Sequence, residues 1–359
     1  MKESDLTPNE RKKLYFSGHE VDHIPYSLTS SETSCEMYGI NSRDYYLNAD
    51  CMVEVEKRLV EEFDTGSVVA GDGLKGIAEG MGSKISYPLN SISIVEKPVV
   101  EDYSILPQLS FNPAKDGRFP LFLEALKRLK ELFGEERSVE TNIGSPITVC
   151  AALRGTERML LDTYKHPEEL HQLLQLAVDA SLQWVKFAYE QCEPNFGIVN
   201  PVGSGSLLSL KQYERFELPY LKQLVTGIKQ ITGQTPGMHM CGKSRNRWNS
   251  FREIGLSALS VDNCERLTDL KAELGNDMVI SGNVPPVDVI MNGDRALIQN
   301  SVKECLLDAS DSPCGFVLSP GCELPFGVSR DNLWAFIEAA EHYGQGAQIG
   351  QLCKGLRGE

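Results

Sequence analysis

The 359-residue sequence has no long apolar run. None of its segments approaches the roughly 18 consecutive apolar residues that a transmembrane helix needs. The N-terminal stretch 1–18, MKESDLTPNERKKLYFSG, also lacks the apolar core of a secretory signal peptide. We therefore expect a cytoplasmic protein that does not bind a membrane.

An excess of basic residues is also absent. The chain carries 35 Lys and Arg against 50 Asp and Glu, which gives a formal net charge of −15 and a pI near 5.0. A surface of this sign repels phosphate groups, so nucleic acids and anionic membranes are excluded as main partners. The acidity says nothing more about function.

Cysteine is too sparse for a disulfide scaffold, with 10 in 359 residues. No low-complexity segment, charge block or Ser/Gly-rich linker divides the chain. Hydrophobic residues make up 41% and charged residues 24%, which is typical of a globular protein with a large core. We expect a single domain over residues 1–359.

Short apolar runs alternate with amphipathic helical stretches along the whole chain. Eight such runs, each a candidate strand, occupy 23–28, 66–72, 138–144, 195–202, 235–241, 256–264, 277–284 and 315–322. Repeated strand–helix units predict parallel strands, and eight of them predict a (β/α)8 TIM barrel. A helical extension precedes it, and the alternation over 85–113 indicates an inserted hairpin followed by an irregular segment.

The stretch GDGLKG, 71–76, matches the G-x-G-x-x-G pattern of dinucleotide-binding proteins, and Glu96 stands at the spacing of a ribose-binding acid. That fold needs a full crossover helix after the glycines. Gly80, Gly82 and Pro88 interrupt any such helix. We therefore favour a glycine-rich turn over a nucleotide site.

A metal site is the more specific hypothesis. His239 and Cys241 end the fifth candidate strand and, two positions apart, point to the same face. Cys322 follows the end of the eighth strand, and strand ends share one rim in a barrel. One His and two Cys suit Zn²⁺ and leave a fourth position open, as in catalytic sites. The alternative is a core histidine beside two unreactive thiols.

Three further residues stand at strand ends on the same rim. Cys264 is a possible fourth zinc ligand, although a buried loop thiol is the simpler interpretation. Asp72 is a candidate substrate contact or an ordinary Asp of a glycine-rich turn. Asn283 is a candidate polar contact with substrate, or a turn-capping residue before two prolines. No catalytic group beyond the zinc site is predicted.

Over nearly its whole length the chain resembles the uroporphyrinogen decarboxylase superfamily. The resemblance is carried by ERKKLYFSGHEVDHIP near the start, GSLLSLKQYERFELPYLKQLVTGIK in the middle, and HMCGKS, LSVDN, SGNVPP and LSPGCELP towards the end. It is stronger for the corrinoid-dependent methyltransferase branch than for the decarboxylases. The decarboxylases have an Arg-rich segment where this chain has YSLTSSETSCEMYG, and Asp72 matches their pyrrole-binding Asp without its arginine partners.

The resemblance implies that His239, Cys241 and Cys322 bind catalytic zinc and that a methyl group moves between a corrinoid and a small substrate. The substrate is a thiol acceptor or a methylated donor, and the direction stays open. The sequence lacks the corrinoid-binding D-x-H-x-x-G motif, so a partner protein is expected to supply methylcobalamin. A porphyrinogen decarboxylase and a non-catalytic barrel that carries a corrinoid or tetrapyrrole remain alternatives, and the chain is a monomer or a homodimer.

Overall fold

The computed structural model describes residues 6–28, 32–71 and 73–358, and a parallel sheet forms its centre. The strands are β1 Val21–His23, β2 Ser67–Val69, β3 Lys84–Ser86, β4 Ile94–Lys97, β5 Ser138–Gly144, β6 Asn195–Asn200, β7 Gly237–Met240, β8 Ala258–Val261, β9 Val279–Val284, β10 Phe316–Pro320 and β11 Gln345–Ala347. In the described residues the central sheet has seven strands in the order β10-β9-β8-β7-β6-β5-β2, all parallel.

Helices separate consecutive strands of this sheet. The α-helices are α1 Pro8–Phe16, α2 Ser42–Leu47, α3 Ala49–Phe63, α4 Gly76–Gly80, α5 Phe119–Phe133, α6 Pro146–Arg154, α7 Thr156–Lys165, α8 Pro167–Cys192, α9 Leu210–Phe216, α10 Leu218–Thr232, α11 Trp248–Ile254, α12 Leu267–Leu274, α13 Arg295–Ala309 and α14 Arg330–Tyr343. Short 3-10 helices cover Glu32–Tyr38, Tyr103–Gln108, Arg245–Arg247 and Lys354–Leu356, and Pro286–Met291 is a π-helix. This curled sheet with its outer helices confirms the predicted (β/α)8 TIM-barrel class.

The first predicted strand, 23–28, is only partly regular. Its start belongs to β1, which pairs antiparallel with β11 outside the central sheet. The rest runs beside β10: Tyr26 forms a parallel bridge with Leu318, and the Ser27 N–H donates to the Leu318 carbonyl at 2.9 Å. Pro25 has no N–H to contribute to a ladder, which explains why the pairing stays short.

The opposite edge of the sheet, at β2, is capped by a side chain. Glu56 of α3 accepts a hydrogen bond from the Val69 N–H at 2.9 Å, so this donor is unavailable to a neighbouring strand. In the described residues β2 is therefore an edge of the central sheet and the segment beside β10 contributes only one bridge, whereas the sequence predicted eight strands.

The predicted insertion over 85–113 is present. Strands β3 and β4 form an antiparallel hairpin, and the 3-10 helix Tyr103–Gln108 follows within an irregular segment. Buried Arg118 anchors the hairpin, because its guanidinium donates to Glu79 at 2.8 Å and lies over the ring of Tyr87. The helical extension before the first strand is α1, which begins with a capping box at Thr7.

The core lies between the sheet and its outer helices. Residues of α8 at three- and four-residue spacing are buried, and Trp184 of this helix packs edge-on against Phe119 of α5 at a centroid distance of 4.8 Å. Each fully buried side chain of this size contributes roughly 1.5–3 kcal/mol relative to exposure. In the described ranges no helix is both long and apolar enough to cross a bilayer.

Strands β7 and β8 alternate in burial in a way that positions the site. Met238 and Met240 are buried, while His239 between them is half-buried. Leu259 and Val261 are buried on β8, and Ser260 is half-buried. Since alternate strand residues point to opposite faces, His239 and Ser260 share the face turned away from the apolar layer under the helices.

Candidate metal centre

Three predicted residues meet at one place on the barrel rim. One ligand atom each of His239, Cys241 and Cys322 lies within 4.8 Å of the others, and all three residues are half-buried. The Sγ atoms of Cys241 and Cys322 are 3.9 Å apart. Among the described residues this is the one group of three His, Cys, Asp or Glu side chains with such spacing.

The imidazole of His239 has one bonded and one unbonded nitrogen. Nδ1 lies 3.0 Å from Oγ of Ser260, whose Cα is paired with that of His239 across β7 and β8. Nε2 is buried and has no hydrogen-bond partner among the described residues. An unpaired buried nitrogen is unfavourable unless a ligand satisfies it, and a neutral imidazole nitrogen is a good metal ligand.

The two thiols lie within hydrogen-bond distance of each other. The hydrogen bond between them lowers the pKa of Cys322 and raises the pKa of Cys241, and the His239 imidazole lowers the pKa of Cys322 further. The pair therefore favours one thiolate, on Cys322, stabilised by the thiol of Cys241. A thiolate, and not a thiol, is the form that binds a metal ion.

Two glycines allow the cysteines to approach each other. Gly242, after Cys241, has φ +64°, which residues with a Cβ rarely adopt, and a Cβ there would lie 2.6 Å from Oγ of Ser206. Gly321, before Cys322, packs so closely on the loop after β8 that a Cβ would lie 2.7 Å from the Asn263 nitrogen. The sequence pairs Cys–Gly and Gly–Cys are therefore a steric requirement of the site.

Two carboxylates hold the loop that carries Cys241. Asp262 accepts a hydrogen bond from the Gly242 N–H at 2.9 Å. Glu265 accepts bonds from the backbone N–H groups of Ser244 (2.5 Å) and Arg245 (3.0 Å). Both acids follow β8, so the loop after β8 fixes the loop after β7.

The remaining predicted site residues are placed differently. Cys264 is exposed and does not belong to the group of three, so its role as a fourth ligand stays a prediction. The amide of Asn283 donates to the carbonyls of Asp262 (3.1 Å) and Glu265 (2.8 Å), so it supports the same loop. Its contact with substrate stays a prediction, and Asp72 lies outside the described residues.

The glycine-rich stretch 71–76 is followed by α4, which has only five residues. The hairpin comes next, and Glu96 lies in it, in an ion pair with Lys84 at 3.0 Å. This arrangement lacks the long crossover helix of a dinucleotide-binding unit and agrees with the interpretation as a turn.

A family model of "Uroporphyrinogen decarboxylase (URO-D)" matches residues 7–343. The chain belongs to the uroporphyrinogen decarboxylase family. It is 25% identical to methylcobamide:CoM methyltransferase MtbA of Methanosarcina acetivorans, over 95% of this chain and 99% of that protein. It is also 24% identical to uroporphyrinogen decarboxylase 2, chloroplastic, of Arabidopsis thaliana, over 88% of this chain and 79% of that protein.

The fold of the family is also found among solved structures. A methyltransferase from Methanosarcina mazei superposes with a TM-score of 0.82 at 22% identity, covering 94% of this chain and 99% of that chain. The relatives are thus enzymes of two kinds, methyltransferases and decarboxylases.

Sequence reasoning missed the residues that support the three candidate ligands. Ser260, Asp262 and Glu265 were not singled out. Ser260 lies on β8, the strand next to β7, and the two acids lie in the loop that follows β8. The available signal was the stretch SVDNCE, 260–265, in which polar residues alternate at the end of a buried strand. Which group each of them contacts depends on the register of β7 against β8, which cannot be read from the sequence.

Proposed function

We propose that this chain is a zinc-dependent methyltransferase that moves a methyl group between a corrinoid protein and a small thiol or methylated substrate. The observation that carries the proposal is the group of His239, Cys241 and Cys322, with ligand atoms within 4.8 Å of one another. The methylcobamide:CoM methyltransferases among the relatives support the corrinoid as methyl donor or acceptor.

The residues present fit a zinc ion. Nε2 of His239 is buried and has no hydrogen-bond partner in the described part of the chain, and the two sulfurs, 3.9 Å apart, favour one thiolate between them. One nitrogen and two sulfur ligands match the preference of zinc, and a set of three leaves a position for substrate. A structural zinc site normally has four protein ligands, which favours a catalytic role for this one.

Bound zinc supplies Lewis acidity, which deprotonates a substrate thiol at neutral pH or polarises the bond from a heteroatom to a methyl group. The chain's own residues hold the ion and set its position. His239 and Cys241 come from the end of β7, and Cys322 comes from the loop after β10. Asp262 and Glu265 keep the Cys241 loop in place through backbone N–H groups.

Decarboxylation of a porphyrinogen is the less supported function, although decarboxylases are among the relatives. A polycarboxylate substrate needs free cationic side chains. Between residues 26 and 50 the single arginine of the sequence is Arg43, whose Nε donates to the Tyr87 carbonyl at 2.7 Å. On the rim, Arg247 is buried and donates to the carbonyls of Gly203 and Leu208.

The test combines metal analysis with a methyl-transfer assay. Protein purified without chelator is analysed for zinc and incubated with methylcobalamin, or with a methylated corrinoid protein, and a panel of thiols. Transfer changes the absorption bands of cobalt. We expect zinc in the wild type, transfer only when a corrinoid is added, and loss of both zinc and transfer in His239→Ala.

Two results would contradict the proposal. Absence of zinc from the wild-type protein removes the metal centre. Turnover by the chain in the absence of cobalt, with carbon dioxide released from a porphyrinogen, replaces the methyltransferase by the decarboxylase.

A further inference from the structure

Ser260 is the hydrogen-bond partner of the one imidazole in the candidate metal centre. Its Oγ lies 3.0 Å from Nδ1 of His239, and the two residues face each other directly across β7 and β8. The other ring nitrogen, Nε2, is buried and makes no hydrogen bond to any residue that the structure describes. The hydroxyl group of Ser260 therefore gives the two nitrogens of this ring different environments.

A neutral imidazole carries a single proton, on either nitrogen, and only the nitrogen without it binds a metal. A hydroxyl oxygen that accepts a bond from Nδ1–H keeps the proton on Nδ1 and leaves the lone pair of Nε2 free. The same bond fixes the rotation of the ring about its χ2 angle. Groups that orient a ligating histidine in this way change metal affinity by about 10–100-fold.

We propose that Ser260 is a positioning residue that holds the orientation of the His239 ring, accepts from Nδ1–H when Nε2 binds zinc, and thereby sets the affinity of the zinc site. This inference rests on the proposed function for its metal, but the orientation of the ring is a property of the metal-free chain as well. Because a hydroxyl is neutral and a weaker acceptor than a carboxylate, we expect the effect near the low end of the range, about tenfold.

The neighbouring strand offers a matched control. Ser281 of β9 is the Cα partner of Ser260, so it occupies the corresponding position one strand further along. Its hydroxyl lies 3.0 Å from Oγ of Ser319. Ser281→Ala therefore removes a hydroxyl from the same row of the barrel without touching the His239 hydrogen bond.

The experiment compares the wild type with Ser260→Ala, Ser260→Thr and Ser281→Ala. Nitrogen-15 NMR of the histidine rings, with His239 assigned from a His239→Gln variant, reports the tautomer in metal-free and zinc-loaded protein. Competition with a chelator gives the zinc dissociation constant. We expect Ser260→Ala to shift the Nδ1 signal of the zinc-loaded ring, whose N–H loses its acceptor, and to weaken zinc binding about tenfold. Ser260→Thr restores both, and Ser281→Ala changes neither.

The inference is overturned if the Nδ1 signal of zinc-loaded Ser260→Ala protein is that of the wild type, or if its zinc affinity equals that of the wild type. It is also overturned if Ser281→Ala has the same effect, because the loss would then be a general one. Failure of the proposed function looks different: zinc binds and responds to Ser260 as expected, but no methyl group is transferred to or from a corrinoid.

Discussion

Glu56, which accepts a hydrogen bond at the β2 edge of the sheet, offers a quantitative test of how a buried carboxyl changes stability with pH. The residue is 2% exposed on α3, and Oε2 accepts the Val69 N–H at the end of β2. Its other oxygen, Oε1, is buried and has no hydrogen-bond partner within the described ranges. Burial, the largest effect, raises the pKa of this carboxyl to about 8. The hydrogen bond from the Val69 N–H lowers the pKa, and the charges of Glu32 and Glu140 raise it.

The sign of the pH dependence follows from the raised pKa. In the unfolded chain Glu56 ionises near its ordinary value of 4.5, whereas the folded chain holds the proton up to about 8. Its contribution to stability is fully present below the lower value and is lost as the pH rises through the upper one. At pH 7, about 2.5 pH units above the unfolded pKa, the loss is about 3 kcal/mol.

Glu56→Gln should remove this loss, because the amide is neutral and its oxygen still accepts the Val69 N–H. We expect the variant to be about 3 kcal/mol more stable than the wild type at pH 7, and to differ by less than about 1 kcal/mol at pH 5. Urea unfolding at the two pH values measures the difference.

Glu61→Gln is the matched control, since Glu61 is exposed on the same helix and changes there stay within about 0.5 kcal/mol. The reasoning is refuted if Glu56→Gln is less stable than the wild type at pH 7, or if its advantage does not grow between pH 5 and pH 7. Either result means that Glu56 is ionised in the folded protein.

The sequence was sufficient to predict the three candidate ligands because a few general rules constrain them. His239 and Cys241 lie two residues apart at the end of an apolar run, so they share a face. Cys322 follows another such run, and parallel barrel strands end on one rim. Neither rule needs a distance, and the structure brings the three side chains within 4.8 Å.

The supporting contacts depend on information that periodicity does not carry. The bond from His239 to Ser260 requires the register of β7 against β8, in which a shift of one residue would turn Ser260 to the other face. The irregular first strand has a similar cause. Its short pairing depends on Pro25, which has no N–H, and on Glu56 of α3, which accepts the Val69 N–H at the edge of β2.

The remaining predictions concern the metal site and the loop beside it. Cys322→Ala should reduce zinc from about one per chain to below about a tenth in chelator-buffered solution. The reason is that loss of a ligand weakens binding more than loss of a supporting contact, which costs roughly 10–100-fold. As a control, Cys314→Ala, before the start of β10, should keep its zinc. Asn283→Ala removes two hydrogen bonds to the loop after β8 and should cost about 1–3 kcal/mol of stability. We expect it to weaken substrate binding by more, because that loop holds the Cys241 loop through Asp262. Thermal unfolding and substrate titration compare the two losses, and equal losses would remove Asn283 from the site.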